Sequence, residues 1–98
     1  MDERICDFQI TIVGLDILRT VQFALKPTGV KLVNPVNRGK FGNFKTLTFL
    51  TPIPEIEVMN RRKEIMMELA KESTHLLAMY PHGDAFHVYI FDRRAFLD

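Results

Sequence analysis

Phe8-Gln9-Ile10-Thr11-Ile12-Val13-Gly14 is the stretch that decides the fold. Apolar and polar side chains alternate along it, most of its members are β-branched, and a glycine stops it. Period-two alternation puts Phe8, Ile10 and Ile12 on one face and Gln9 and Thr11 on the other, the pattern of a strand with one dry and one wet face. A sheet is therefore the organising layer. The rest of the chain must supply what covers the dry side.

Downstream, Asp16 is expected to cap a helix, because a carboxylate accepts from the free amides of a first turn. Ile17, Leu18, Val21, Ala24 and Leu25 follow at helical spacing. Lys26 ends that helix, since the residue before Pro27 is pushed out of helical geometry. Val30-Lys31-Leu32-Val33 reads as a second strand, and residues 34–43 as a loop longer than the tightest hairpin turns. Phe44 to Leu50 alternates again, with Leu47 and Phe49 inward and Thr46 and Thr48 outward. A second helix runs from about Glu55 to Glu72, with Val58, Met59, Ile65, Met66, Leu69 and Ala70 as its stripe. His75 to Tyr80 and Phe86 to Phe91 flank the turn Pro81-His82-Gly83-Asp84 and form a final hairpin.

The order strand, helix, strand, strand, helix, strand, strand implies the α+β class. The expectation is a ferredoxin-like βαββαβ sandwich with an extra C-terminal strand or hairpin. Its two helices lie on one face of an antiparallel sheet, and residues 1–98 form a single domain. That leaves the other face open. In the last strand either Phe86, Val88 and Ile90 or His87, Tyr89 and Phe91 must lie there, and both sets are aromatic. An apolar patch on an open face marks an interaction surface.

Bulk properties exclude more than they identify. A hydrophobic content of 47% with 26% charged residues describes a globular chain. The net charge of +1 supplies no overall pull toward nucleic acid or membrane. Cys6 is the single cysteine, so no internal disulfide forms, and a reducing, cytoplasmic setting is expected. No apolar run reaches a membrane span, and Met1-Asp2-Glu3-Arg4 does not resemble a leader. Charge is uneven, however: residues 17–54 hold Arg19, Lys26, Lys31, Arg38, Lys40 and Lys45 and no acid.

That basic middle contains Arg38-Gly39-Lys40-Phe41-Gly42-Asn43-Phe44-Lys45, which interleaves cations, glycines and rings. Cations meet phosphates and flat rings stack on bases, so Arg38, Lys40, Phe41, Phe44 and Lys45 are candidates for single-stranded RNA or DNA. Phe86, His87, Tyr89 and Phe91, with Arg93 and Arg94 after them, are candidates for a protein partner or a second copy in a homodimer. His82, Asp84 and His87 lie close in sequence, but no fourth ligand has metal-site spacing, so no metal is expected. With no phosphate loop, paired-acid site or triad, no catalytic residue and no cofactor are assigned. The expected function is a non-enzymatic binding or regulatory module acting through its open sheet face or an edge. The alternatives are a single-strand nucleic-acid binder and a small-ligand sensor.

Family resemblances follow these residues. The segment 38–45 resembles the ribonucleoprotein signature of RNA-recognition motifs, with Ile10-Thr11-Ile12-Val13-Gly14-Leu15 where that family has its second motif. Gly29-Val30-Lys31-Leu32-Val33-Asn34 is similar to the acylphosphatase stretch bearing a catalytic asparagine. Asp16 stands where that family's phosphate-cradling loop lies, so the activity is not implied. Lys40 to Phe44, the threonine-rich strand after it and the long second helix look like small bacterial domains related to ligand-sensing ACT domains. Pro81-His82-Gly83-Asp84 resembles a motif of a small-subunit ribosomal protein. The common implication is a ferredoxin-like fold, which leaves function open.

Overall fold

The computed structural model describes residues 5–71, 75–82 and 85–96; the side chains of residues 5–7, 53–61, 76, 79–82 and 85–86 lie outside the described set. Among the described residues five strands are present: β1 (Ile5–Val13), β2 (Pro35–Phe41), β3 (Phe44–Pro54), β4 (His75–His82) and β5 (Ala85–Asp92). Two helices, α1 (Leu18–Leu25) and α2 (Glu55–Ala70), lie between them. The sheet order is β2-β3-β1-β5-β4. β1 is antiparallel to β3 but parallel to β5, so the sheet is mixed.

This corrects the expected ferredoxin-like antiparallel arrangement. The final hairpin is not appended outside the sheet. Its last strand inserts beside β1 and pushes β4 to the edge. The physical driver is visible in β5, whose Val88 and Ile90 are fully buried. A strand that apolar gains more from the centre than from an edge.

The core lies between the helices and one sheet face. Phe8, Ile10 and Ile12 of β1, Phe49 of β3 and Val88 and Ile90 of β5 pack against Val21 and Leu25 of α1 and Ile65 and Leu69 of α2. Leu47 packs on the margin of that core. The alternation read from β1 and β3 is thus realised.

Three local expectations are corrected. Val30 to Val33 form no strand; β2 begins at Pro35, in the stretch read as a loop. All seven of its residues are exposed, and only an edge strand tolerates proline and so little burial. The β2–β3 turn is also short. Only Gly42 and Asn43 separate the strands, with Gly42 at φ 58°, the positive value that two-residue hairpin turns demand at their first central position. Finally, Asp16 caps nothing. It sits in a 3-10 turn, Leu15–Ile17, that enters α1 without a side-chain cap.

Candidate functional site

The face of the sheet away from the helices is where the candidate residues converge. Because Val88 and Ile90 are in the core, His87, Tyr89 and Phe91 occupy the open face of β5. The alternative left by the sequence is thereby decided; the side chain of Phe86 lies outside the described residues. The three rings form a row, with His87 and Tyr89 stacked at 4.2 Å between centroids and Tyr89 and Phe91 at 6.0 Å.

The face is not flat. Phe41 of β2 meets Phe91 of β5 edge-to-face at 5.5 Å, although β3 and β1 lie between their strands. Three interstrand steps span about 14 Å in a flat sheet. The edge hairpin therefore curls over the open face, and Phe96 completes the closure at 6.2 Å from Phe41 and 5.1 Å from Phe91. Val13, beside Phe91 in register, is only 1% exposed at this closed end. The result is a trough of about 950 Å³. Its floor is Gln9, Thr11, Thr46 and Thr48, and its walls are Val36, Asn37 and Phe41 on one side and the ring row on the other.

A hydrogen-bond relay crosses the floor. The buried Thr11 hydroxyl lies 2.8 Å from the Thr48 hydroxyl and 2.7 Å from Nε2 of His87. Thr11 has one proton to donate, so it donates to one neighbour and accepts from the other. If Nε2 carries a hydrogen, Thr11 donates to Thr48, and Thr48 keeps its proton for the trough. If Nε2 is bare, Thr48 donates to Thr11 and offers only lone pairs. Whether Nε2 of His87 carries a hydrogen, which depends on the ring's tautomer, thus sets whether Thr48 presents a donor or an acceptor.

The nucleic-acid candidates are split between two faces. In register, Phe41 pairs with Phe44 and Lys40 with Lys45, so rings and cations alternate to opposite sides of the hairpin. Arg38, Lys40 and Lys45 line a second concavity of about 590 Å³ with Leu15 and Leu47. Gly39, Lys40 and Thr46 border both concavities, so the two meet around the sheet edge. No acidic side chain lines either one among the described residues.

Arg94 is committed inside the chain. Its guanidinium bonds both carboxylate oxygens of the buried Asp92, with Nε at 3.1 Å from each, and Nη2 reaches Asp16 at 3.0 Å. Those hydrogen bonds hold the Asp92 carboxyl below its ordinary value against the opposing effect of burial, and raise the Arg94 guanidinium further. Arg93 is exposed on the same 3-10 turn. Asp84 and the side chains of Cys6 and His82 lie outside the described residues. Among those described, no three His, Cys, Asp or Glu side chains gather as a metal site would require. Nor is any described helix long and apolar enough to cross a membrane.

Sequence reading missed Thr48, Thr11 and Gln9 as site residues. Their signal was present, since outward threonines and a glutamine on neighbouring strands make a polar floor once the strand order is known. The fold and site together define a helix-backed mixed sheet with a concave uncovered face. No protein-family model, curated protein or solved structure matches the chain.

Proposed function

We propose that this chain is a non-enzymatic binding module whose working surface is the trough, and that its ligand presents a flat unsaturated ring with hydrogen-bonding edges. The observation that carries this reading is the Phe41–Phe91 contact, which turns an open sheet face into a concavity. Its volume lies in the range of ligand pockets, and its lining joins aromatic walls to a polar floor that can fix a ligand's orientation. A flat ring in the trough packs against the wall formed by the row His87, Tyr89 and Phe91. Gln9, in register with His87, and Thr48 then meet the ring's edge. A concave shape favours such a ligand over a second copy of the chain. A two-fold interface joins identical patches, and two hollows leave a void between them.

The test is saturation-transfer NMR with adenosine, uridine and nicotinamide as probes. Transfer to at least one ring is expected, and Tyr89→Ala should weaken it about fivefold or more, because ring stacking contributes roughly 1–3 kcal/mol. Phe23→Gln, on the exposed outer side of α1, should leave it unchanged. Equal transfer to wild type and Tyr89→Ala would place the ligand elsewhere and end the proposal.

A further inference from the structure

The β2–β3 hairpin contains a pairing that stability alone does not explain. Lys40 and Lys45 are direct cross-strand partners, both exposed, and Arg38 stands two residues along on the same side. Like charges placed directly opposite each other destabilise a sheet. An anion between them removes that penalty and converts repulsion into binding. The groove these cations line shares Gly39, Lys40 and Thr46 with the trough, on the other side of the edge hairpin. Gly39 has no side chain to block passage around the exposed edge strand. The nearest carboxylate in sequence to this groove, Asp16, is engaged by Arg94.

We propose that a single strand of nucleic acid occupies both concavities, with a base in the trough and its phosphates along Arg38, Lys40 and Lys45. The proposal rests on reading the trough as a ring-binding site. Its chemistry is the combination single-strand binders need, a cationic track beside rings on which bases stack. An uncharged ring fills only the trough, and an acidic peptide fills only the groove. A nucleotide chain places rings and several anions at a fixed short spacing.

Fluorescence anisotropy with an end-labelled oligouridylate of about eight nucleotides tests this, a length within the span of known single-strand sites. Neutralising three phosphates predicts a fall in affinity of about 20-fold between 50 and 200 mM salt, from a slope near −0.7 per contact. Lys40→Glu and Lys45→Glu should each weaken the oligonucleotide about tenfold or more, and Lys45→Glu, which lies outside the trough lining, should leave saturation transfer to free uridine unchanged. Both variants should fold, because each converts a like-charge pair into an opposite-charge pair; the urea midpoint of the free protein should rise or hold.

Oligouridylate binding no more tightly than uridine, or equally well in the two variants, overturns the proposal and leaves the trough reading intact. A polyglutamate peptide of the same charge binding as tightly as the oligonucleotide also overturns it, since charge alone would then suffice. If neither uridine nor adenosine engages the wild-type protein, this proposal falls, and the trough reading falls with it when nicotinamide is silent too.

Discussion

Gly14→Ala should be among the most damaging single substitutions in the chain. β1 ends at Val13, whose parallel partner is Phe91, so Gly14 and Asp92 leave their strands side by side. Gly14 has φ 94°, a value that L side chains rarely adopt. A Cβ there would lie 2.6 Å from Cβ of Asp92, closer than carbon atoms pack. Neither side can retreat freely. The Gly14 amide donates to the Lys45 carbonyl at 2.9 Å, and the Asp92 carboxylate accepts from the Arg94 amide at 3.0 Å. Backbone strain of about 1–3 kcal/mol and overpacking of about 1–3 kcal/mol sum to roughly 4 kcal/mol. A domain of this size has only about 5–15 kcal/mol in total. Urea unfolding followed by far-UV circular dichroism should show the midpoint fall by about 2 M or more, for an m-value near ~1.5 kcal/mol/M. Asp92→Gly in the Gly14→Ala background should recover the steric part but not the strain, giving a coupling of about 1–3 kcal/mol. A loss below about 1 kcal/mol in the single variant would refute the reasoning.

Other expectations follow from the same geometry. Because Arg94 depresses the Asp92 carboxyl below 3.8, the stability it contributes is present above that pH and is lost as pH falls through the folded-state value. Asp92→Asn should therefore cost about 1–2 kcal/mol at neutral pH and flatten the acid limb of a urea-midpoint against pH plot. On β5, Ile90→Ala should destabilise by about 2–5 kcal/mol, whereas Tyr89→Ala should cost about 1 kcal/mol; equal losses would mean that the outer face is itself core. Phe41→Ala should cost about 1–2 kcal/mol by removing its ring contacts and should raise amide exchange in β2 relative to β1. Unchanged exchange would show that the hairpin curls without help from that ring.

Much of the scaffold was legible because its rules are local. Period-two patterns located β1, most of β3 and β5, and helical spacing located α1 and α2. Pro27 marked where α1 hands over to the 3-10 turn Lys26–Thr28. What failed was non-local. Asn34 to Asn43 has the composition of a loop, yet residues 35–41 are held as a strand by pairing with β3, which composition does not encode. The alternation of Phe44 to Leu50 stops short of Pro52, but the strand runs through Pro54, in a stretch beyond the pairing with β2 where a missing N–H is tolerated. Strand order also depends on which strand gains most from the centre, and the apolar character of Val88 and Ile90 settles that only when compared with every other strand. For the site, the rings and cations were identifiable singly. Register then divided them, because residues adjacent in a strand point to opposite faces. Arg94 looked like a tail cation available to a partner, and became part of an internal ion-pair network through Asp92 and the distant Asp16.

The most direct test of the trough as a working surface is an amide chemical-shift map of the 15N-labelled protein titrated with uridine. The account predicts saturable shifts concentrated at Gln9, Thr11, Thr48, His87 and Tyr89, with the exposed face of α1 around Phe23 silent. Shifts clustered on the helices, or spread without saturation over the whole surface, would contradict it.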